Sequence, residues 1–143
     1  RAGAVTGPAL SIDLEAEQAL QACLRALAQA RVLSSAHDVS DGGLGACLAE
    51  SCIAGGRGAS VRVPGGGASL AARLFAEEPS RVVLSFPAAK EDEVRALAQR
   101  HGVPLSVVGE VGGADLVLDD VRVPVRELAR RHAGALDAIV GER

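Results

Sequence analysis

The sequence predicts an α/β or α+β sandwich in which helices cover a mixed sheet, and three observations carry that expectation. Segments with helical spacing alternate with short strand-like runs along the chain, the pattern that stacks helices against a sheet. The apolar inventory is aliphatic: 48% of the 143 residues are hydrophobic, yet the only aromatic residues are Phe75 and Phe86. Seventeen glycines and six prolines punctuate the chain, so the elements are short and the turns frequent. A chain of this length suits one domain, which buries about 70% of its unfolded surface.

The elements follow in order. The lead-in holds Gly3, Gly7 and Pro8 and reads as irregular or extended. From Asp13 to about Val32, Leu20, Cys23, Leu24 and Leu27 fall at i, i+3, i+4 and i+7, one face of a helix. Asp13 suits its N-cap, and Glu15 and Glu17 suit its first turn. "SSAHDVS" reads as a short strand, and "GGLGACLAESCIAGG" as a second helix. That helix gathers Leu44, Cys47, Leu48, Ser51 and Cys52 on one face and stops at Gly55-Gly56. "ASVRV" alternates like a strand, "PGGG" is a turn, "ASLAARLFAEEP" a short helix and "SRVVLSF" a strand ended by Pro87. "AAKEDEVRALAQRHG" has the clearest helical phase, with Val94, Leu97, Ala98 and His101 on one face and Gly102 as the stop. "VPLSVVGEV" is a strand, and "ADLVL" and "VRVPV" are two more, hinged at Asp119-Asp120. Pro124 marks the start of a last helix carrying Leu128, Ala135, Leu136 and Ile139.

Charge and composition exclude several classes. A formal net charge of −3 leaves no electrostatic footprint for nucleic acid or an anionic membrane. The near-absence of aromatic rings removes the stacking platforms that single-stranded nucleic acid needs. No apolar run approaches the ~20 residues that cross a bilayer, and no signal pattern opens the chain. The chain reads as soluble and cytoplasmic. Cys23, Cys47 and Cys52 are odd in number and lack zinc-ligand spacing, so they read as small buried thiols.

Chemistry concentrates in "AHDVSDGGLG", residues 36–45. If the first of these residues are extended, alternation puts Asp38 and Ser40 on one face and His37 on the other. A carboxylate and a hydroxyl side by side can hold Mg²⁺ and a phosphate oxygen, since Mg²⁺ takes one or two protein carboxylates plus phosphate and water. The following helix offers unsatisfied N–H groups, and Gly42-Gly43 leave room for a phosphate beside the backbone. A plainer reading fits the same residues: Asp41 as N-cap and Gly-Gly as a strand-to-helix turn. Asp41 is assigned to capping in either case. No Walker loop is present.

The segment "SAHDVSDGGLGACLAESCIAGG" resembles the H-D-x-S-D-G-G-L…A-E segment of the formylglycinamide ribonucleotide amidotransferase (phosphoribosylformylglycinamidine synthase) family. The flanking "GPALSIDLEAEQALQACLRAL", "LFAEEPSRVVLSF" and "HGVPLSVVGEVGG" resemble further family segments in the family's order, so the likeness covers nearly the whole chain. It implies a C-terminal domain of the superfamily that includes aminoimidazole ribonucleotide synthetase and selenophosphate synthetase, with an α/β sandwich, partly ferredoxin-like. It implies an ATP-dependent ligase of purine biosynthesis, which activates an amide oxygen as an iminophosphate that glutamine-derived ammonia displaces. By the same resemblance Asp38 ligates Mg²⁺, while Ser40, with Gly42 and Gly43, contacts nucleotide phosphate. Whether that nucleotide is catalytic ATP or a structural ADP stays open.

The resemblance also sets the expected surroundings. Residues 1–143 are expected to be one domain of a longer synthetase chain, and the chain alone is expected to be inactive. The sequence starts without Met, and its end fits that of the short bacterial form. The implied partners are the remaining synthetase domains, a glutaminase subunit and a small accessory subunit, with no nucleic acid and no membrane. His37, His101 and His132 read as structural, and the "GGRG" at 55–58 as a helix stop. Glu77 and Arg81 are expected in an ion pair or a domain interface. A sister synthetase of the superfamily and a non-catalytic ligand-binding or dimerisation module are the competing readings.

Overall fold

The computed structural model describes residues 11–141, apart from the side chains of residues 136–139. The irregular lead-in expected at residues 1–10, and the side chains of Leu136 and Ile139, lie outside the described residues. Helix α1 (Leu14–Gln29) starts as expected, with the Asp13 carboxylate accepting from the Glu15 and Ala16 N–H groups at 3.0 Å each. It is followed by β1 (Ser35–Asp38), α2 (Gly43–Gly55), β2 (Ala59–Val61), α3 (Leu70–Phe75) and β3 (Val82–Ser85). A 3₁₀ turn at Ala88–Lys90 leads into α4 (Glu91–Arg100), and β4 (Gly109–Val111), β5 (Asp115–Leu118), β6 (Val121–Pro124) and α5 (Val125–Val140) complete the order.

The alternation of helices and strands matches the expected class, and the strands divide into two groups. β1 and β3 form an antiparallel pair, Ser35 opposite Ser85 and Asp38 opposite Val82. The other four form a mixed sheet in the order β4-β2-β5-β6, parallel only between β2 and β5. Most strands are trimmed at their ends relative to the sequence reading, and two elements are cut back further. The strand expected from Val103 is regular only over Gly109–Val111, after Pro104 has removed one ladder donor. Helix α3 ends at Phe75 rather than running through "AEEP": Ala76 is already extended, at ψ 129.

Two apolar clusters hold these parts. The first joins Leu44, Cys47, Leu48 and Cys52 of α2 to Ala59, Val61 and Val63, Leu74, Leu116, Leu118 and Val125. The second joins Cys23 and Leu27 of α1 to Val32 and to Val94 and Ala98 of α4. Strand β3 lies between them: Val83 packs on the first cluster and its neighbour Leu84 on the second. That is the two-sided alternation of a strand covered on both faces. The β1–β3 pair is thus the middle layer between α2 and the α1–α4 pair, and it carries the "HDVSDGG" segment at its end.

Candidate functional site

Asp38, Val39, Ser40 and Asp41 line a groove of about 710 Å³, whose other wall comes from Leu14, Glu17, Leu20 and Leu24 of α1 and its start and from Glu77–Val82. The Asp38 side chain is 74% exposed, so its carboxylate is open to a ligand. Asp38 and Ser40 share the groove with Val39 and Asp41, so consecutive residues line it rather than alternate ones, while His37, whose Nδ1 is 3.8 Å from the Asp38 carboxylate, reaches towards α2. Its Nε2 stands 3.3 Å from the Glu50 carboxylate on α2, and its Nδ1 lies 2.7 Å from the Asp38 carbonyl oxygen. His37 therefore ties β1 to α2, a structural role. Val39, buried between Asp38 and Ser40, anchors the segment to the first cluster.

The start of α2 differs from expectation. Asp41 does not cap it. The N-cap is Gly42, at φ +79, and no side chain of the local sequence caps the helix. The Gly42 N–H instead donates to Glu77 Oε1 at 2.9 Å, a carboxylate 35 residues away. The Asp41 carboxylate makes no bond to the start of α2, and Asp41 lines the groove. The Gly43 N–H donates to the Ser40 carbonyl at 2.9 Å. A Cβ on Gly43 would stand 2.7 Å from the Leu74 carbonyl oxygen and 2.9 Å from that of Ala76, so this glycine lets α2 press on the end of α3. The room expected for a phosphate beside Gly42 and Gly43 is therefore taken by the protein itself: both N–H groups have acceptors within the protein, and neither glycine lines the groove.

Glu77 and Arg81 do not pair with each other. Arg81 reaches Glu78 at 3.4 Å, while Glu77 serves Gly42. Of the expected ion pair or domain interface, the described residues show an ion pair for Arg81 only, with Glu78 as its partner. Sequence reading missed the capping role because its signal, a helix start without a competent local cap, emerges only once Gly42 is seen at positive φ.

The remaining reactive groups are silent. All three thiols are free and buried. Burial pushes the Cys47 thiol up to about 11, and the Asp38 and Glu50 carboxylates push in the same direction. Cys23 and Cys52 are raised by burial as well. Burial and a raised thiol both work against thiolate formation at these positions. His101 closes α4 through its backbone N–H, His132 is exposed on α5, and Gly56 at φ +61 ends α2 as "GGRG" suggests.

Asp38, Ser40 and Asp41 offer hard oxygen donors, the type Mg²⁺ selects. Among the described residues no group of three or more His, Cys, Asp or Glu could hold a metal alone. Among the described residues no helix is long and apolar enough to cross a membrane.

The sequence pattern of the AIR synthase related protein, C-terminal domain family matches residues 6–120. Phosphoribosylformylglycinamidine synthase subunit PurL of Parafrankia sp. is 36% identical over 143 residues, covering 97% of this chain and 18% of the relative. The subunit of the same name from Cutibacterium acnes is 40% identical over 132 residues, covering 91% of this chain and 17% of the relative. This chain thus spans less than a fifth of the length of either relative. Among solved structures, PurLQS from Thermotoga maritima superposes with a TM-score of 0.74 at 22% identity, over 82% of this chain and 22% of that one. Thermotoga maritima PurL complexed with ATP gives a TM-score of 0.72 at 22% identity, over the same shares. At that identity the likeness shows the fold.

Proposed function

The chain belongs to the AIR synthase related protein, C-terminal domain family, and on that premise we propose that it works as the C-terminal domain of the synthetase subunit of phosphoribosylformylglycinamidine synthase. The proposed reaction of the whole enzyme is the ATP-dependent conversion of formylglycinamide ribonucleotide to formylglycinamidine ribonucleotide with glutamine-derived ammonia. The PurL relatives at 36% and 40% identity support this reading. Residues 1–143 are one domain of a longer cytoplasmic chain, which partners a glutaminase subunit and a small accessory subunit. The complex named PurLQS supports such an assembly. Alone, the domain is expected to turn over no substrate, because it spans less than a fifth of the length of its PurL relatives.

One observation carries the site assignment: the Asp38 and Ser40 side chains share a groove at the start of α2. In this reading Asp38 holds Mg²⁺, which supplies charge neutralisation to the phosphates of the bound nucleotide. Ser40 offers its hydroxyl to a phosphate oxygen, and Gly42 and Gly43 shape the turn beside it. Glu17, Asp38, Asp41, Glu77 and Glu78 face this groove with Arg81 as its cation. Such a wall repels a bare polyphosphate and accepts one that arrives with its cation.

Calorimetric titration with ADP, with and without Mg²⁺, tests the assignment. Binding is expected only with Mg²⁺. Asp38→Ala is expected to weaken it at least ~10-fold and Ser40→Ala about 3-fold, the scale of a lost charge-assisted and a lost neutral contact. A wild-type chain that ignores Mg-ADP, or binding that survives both substitutions, overturns the assignment.

A further inference from the structure

We propose that Glu77 is a positioning residue of the nucleotide site, holding the turn that presents Ser40 and Asp41 to the groove; the inference rests on the nucleotide reading above. The turn is pinned at both ends by a single loop. At one end the Val39 N–H donates to the Arg81 carbonyl at 2.9 Å, and at the other the Gly42 N–H donates to Glu77 Oε1 at 2.9 Å. The two residues between these pins, Ser40 and Asp41, are exposed and face the groove. Only the Glu77 pin is made by a side chain.

The loop that carries Glu77 is itself held on its far side. Ser80, at φ +60, donates its hydroxyl to the Glu17 carboxylate on α1, whose acidity that bond increases. Residues 77–81 therefore link α1, the end of β1 and the start of α2, which are three of the groove's boundaries. A helix start normally recruits its own aspartate, and Asp41 is of the right type to serve. Here Asp41 makes no cap bond to α2; the Gly43 N–H goes to the Ser40 carbonyl and the Gly42 N–H to Glu77, and Asp41 lines the groove, one residue from Ser40.

The contact needs an acceptor oxygen rather than a charge, so the amide of glutamine can replace the carboxylate. In the full chain, Glu77→Ala is expected to weaken Mg-ADP binding about 10-fold and Glu77→Gln to restore it to within about 2-fold of wild type. Amide NMR provides a readout that needs no ligand. Resonances of residues 39–43 are expected to move in Glu77→Ala and to return in Glu77→Gln, while those of β2 and β5 stay in place in both. Unmoved resonances in Glu77→Ala, or a Gln variant as impaired as the Ala variant, overturn the proposal. Full Mg-ADP affinity in Asp38→Ala overturns the nucleotide reading instead, and the NMR shifts then still decide whether Glu77 holds the turn.

Discussion

Gly43 and Gly55 open and close the same helix, and the structure gives them opposite weights. Gly43 sits at φ +66 with the Leu74 carbonyl 2.7 Å from where a Cβ would be. Any other residue there meets the left-handed penalty and the backbone of α3 together. Gly43→Ala is expected to cost about 3 kcal/mol in urea unfolding, from about 1–2 kcal/mol of conformational strain plus displaced packing. Gly55 has nothing within 4 Å of its Cβ position. Gly55→Ala is expected to stabilise by about 0.5 kcal/mol, the usual helical preference of alanine over glycine. Equal effects at the two positions would contradict the packing described for Gly43. This pair also shows what sequence alone conveyed about the site. That Asp38 and Ser40 lie in one groove was readable, since they are two residues apart in one short segment. The purpose of Gly43 was not, because the atoms that require its bare Cα belong to α3.

At the scale of elements, one half-buried ion pair ties three of them. The Arg73 guanidinium on α3 donates to the Val63 carbonyl just past β2 and to the Asp119 carboxylate at 3.1 Å. Asp119, at φ +50 in the turn between β5 and β6, also accepts the Val63 N–H at 3.0 Å, and its own N–H reaches the Val61 carbonyl. With side chains only 20% and 25% exposed, neither partner is well compensated by water once the other is gone. Arg73→Ala is expected to cost about 2 kcal/mol by denaturant unfolding, and a double-mutant cycle with Asp119→Ala to show coupling of about 1–2 kcal/mol. Additive losses would mean that Arg73 and Asp119 serve independent contacts. The sequence marked Asp119-Asp120 as a hinge from turn chemistry alone. The partner that fixes this hinge lies 46 residues earlier, beyond any local pattern. The same limit applies to Glu77 and Gly42, whereas the Asp13 cap, whose partners lie two and three residues on, was legible.

At the scale of the whole molecule, strand identity was legible and strand pairing was not. Six short runs carry nearly the same aliphatic alternation, so nothing in them says that β1 joins β3 alone or that β2 runs parallel to β5. That division follows from which helix covers which face, and it leaves two clusters that share only the β1–β3 layer. Leu27 is 1% exposed at the centre of the second cluster, against Cys23, Val32, Val94 and Ala98. Leu27→Ala is expected to cost about 3 kcal/mol, the typical loss when a buried leucine leaves a cavity. If the α1–α4 layer opens as its own cooperative unit, that loss concentrates there. Native-state hydrogen exchange is then expected to show α1 and α4 amides losing most of their protection, while α2, β2 and β5 amides keep theirs. Because Leu20, Leu24 and Glu17 on α1 line the groove, the same variant is expected to weaken Mg-ADP binding without touching Asp38 or Ser40. A uniform loss of protection across both clusters would show that the domain opens as one unit, with the middle layer coupling the two cores fully.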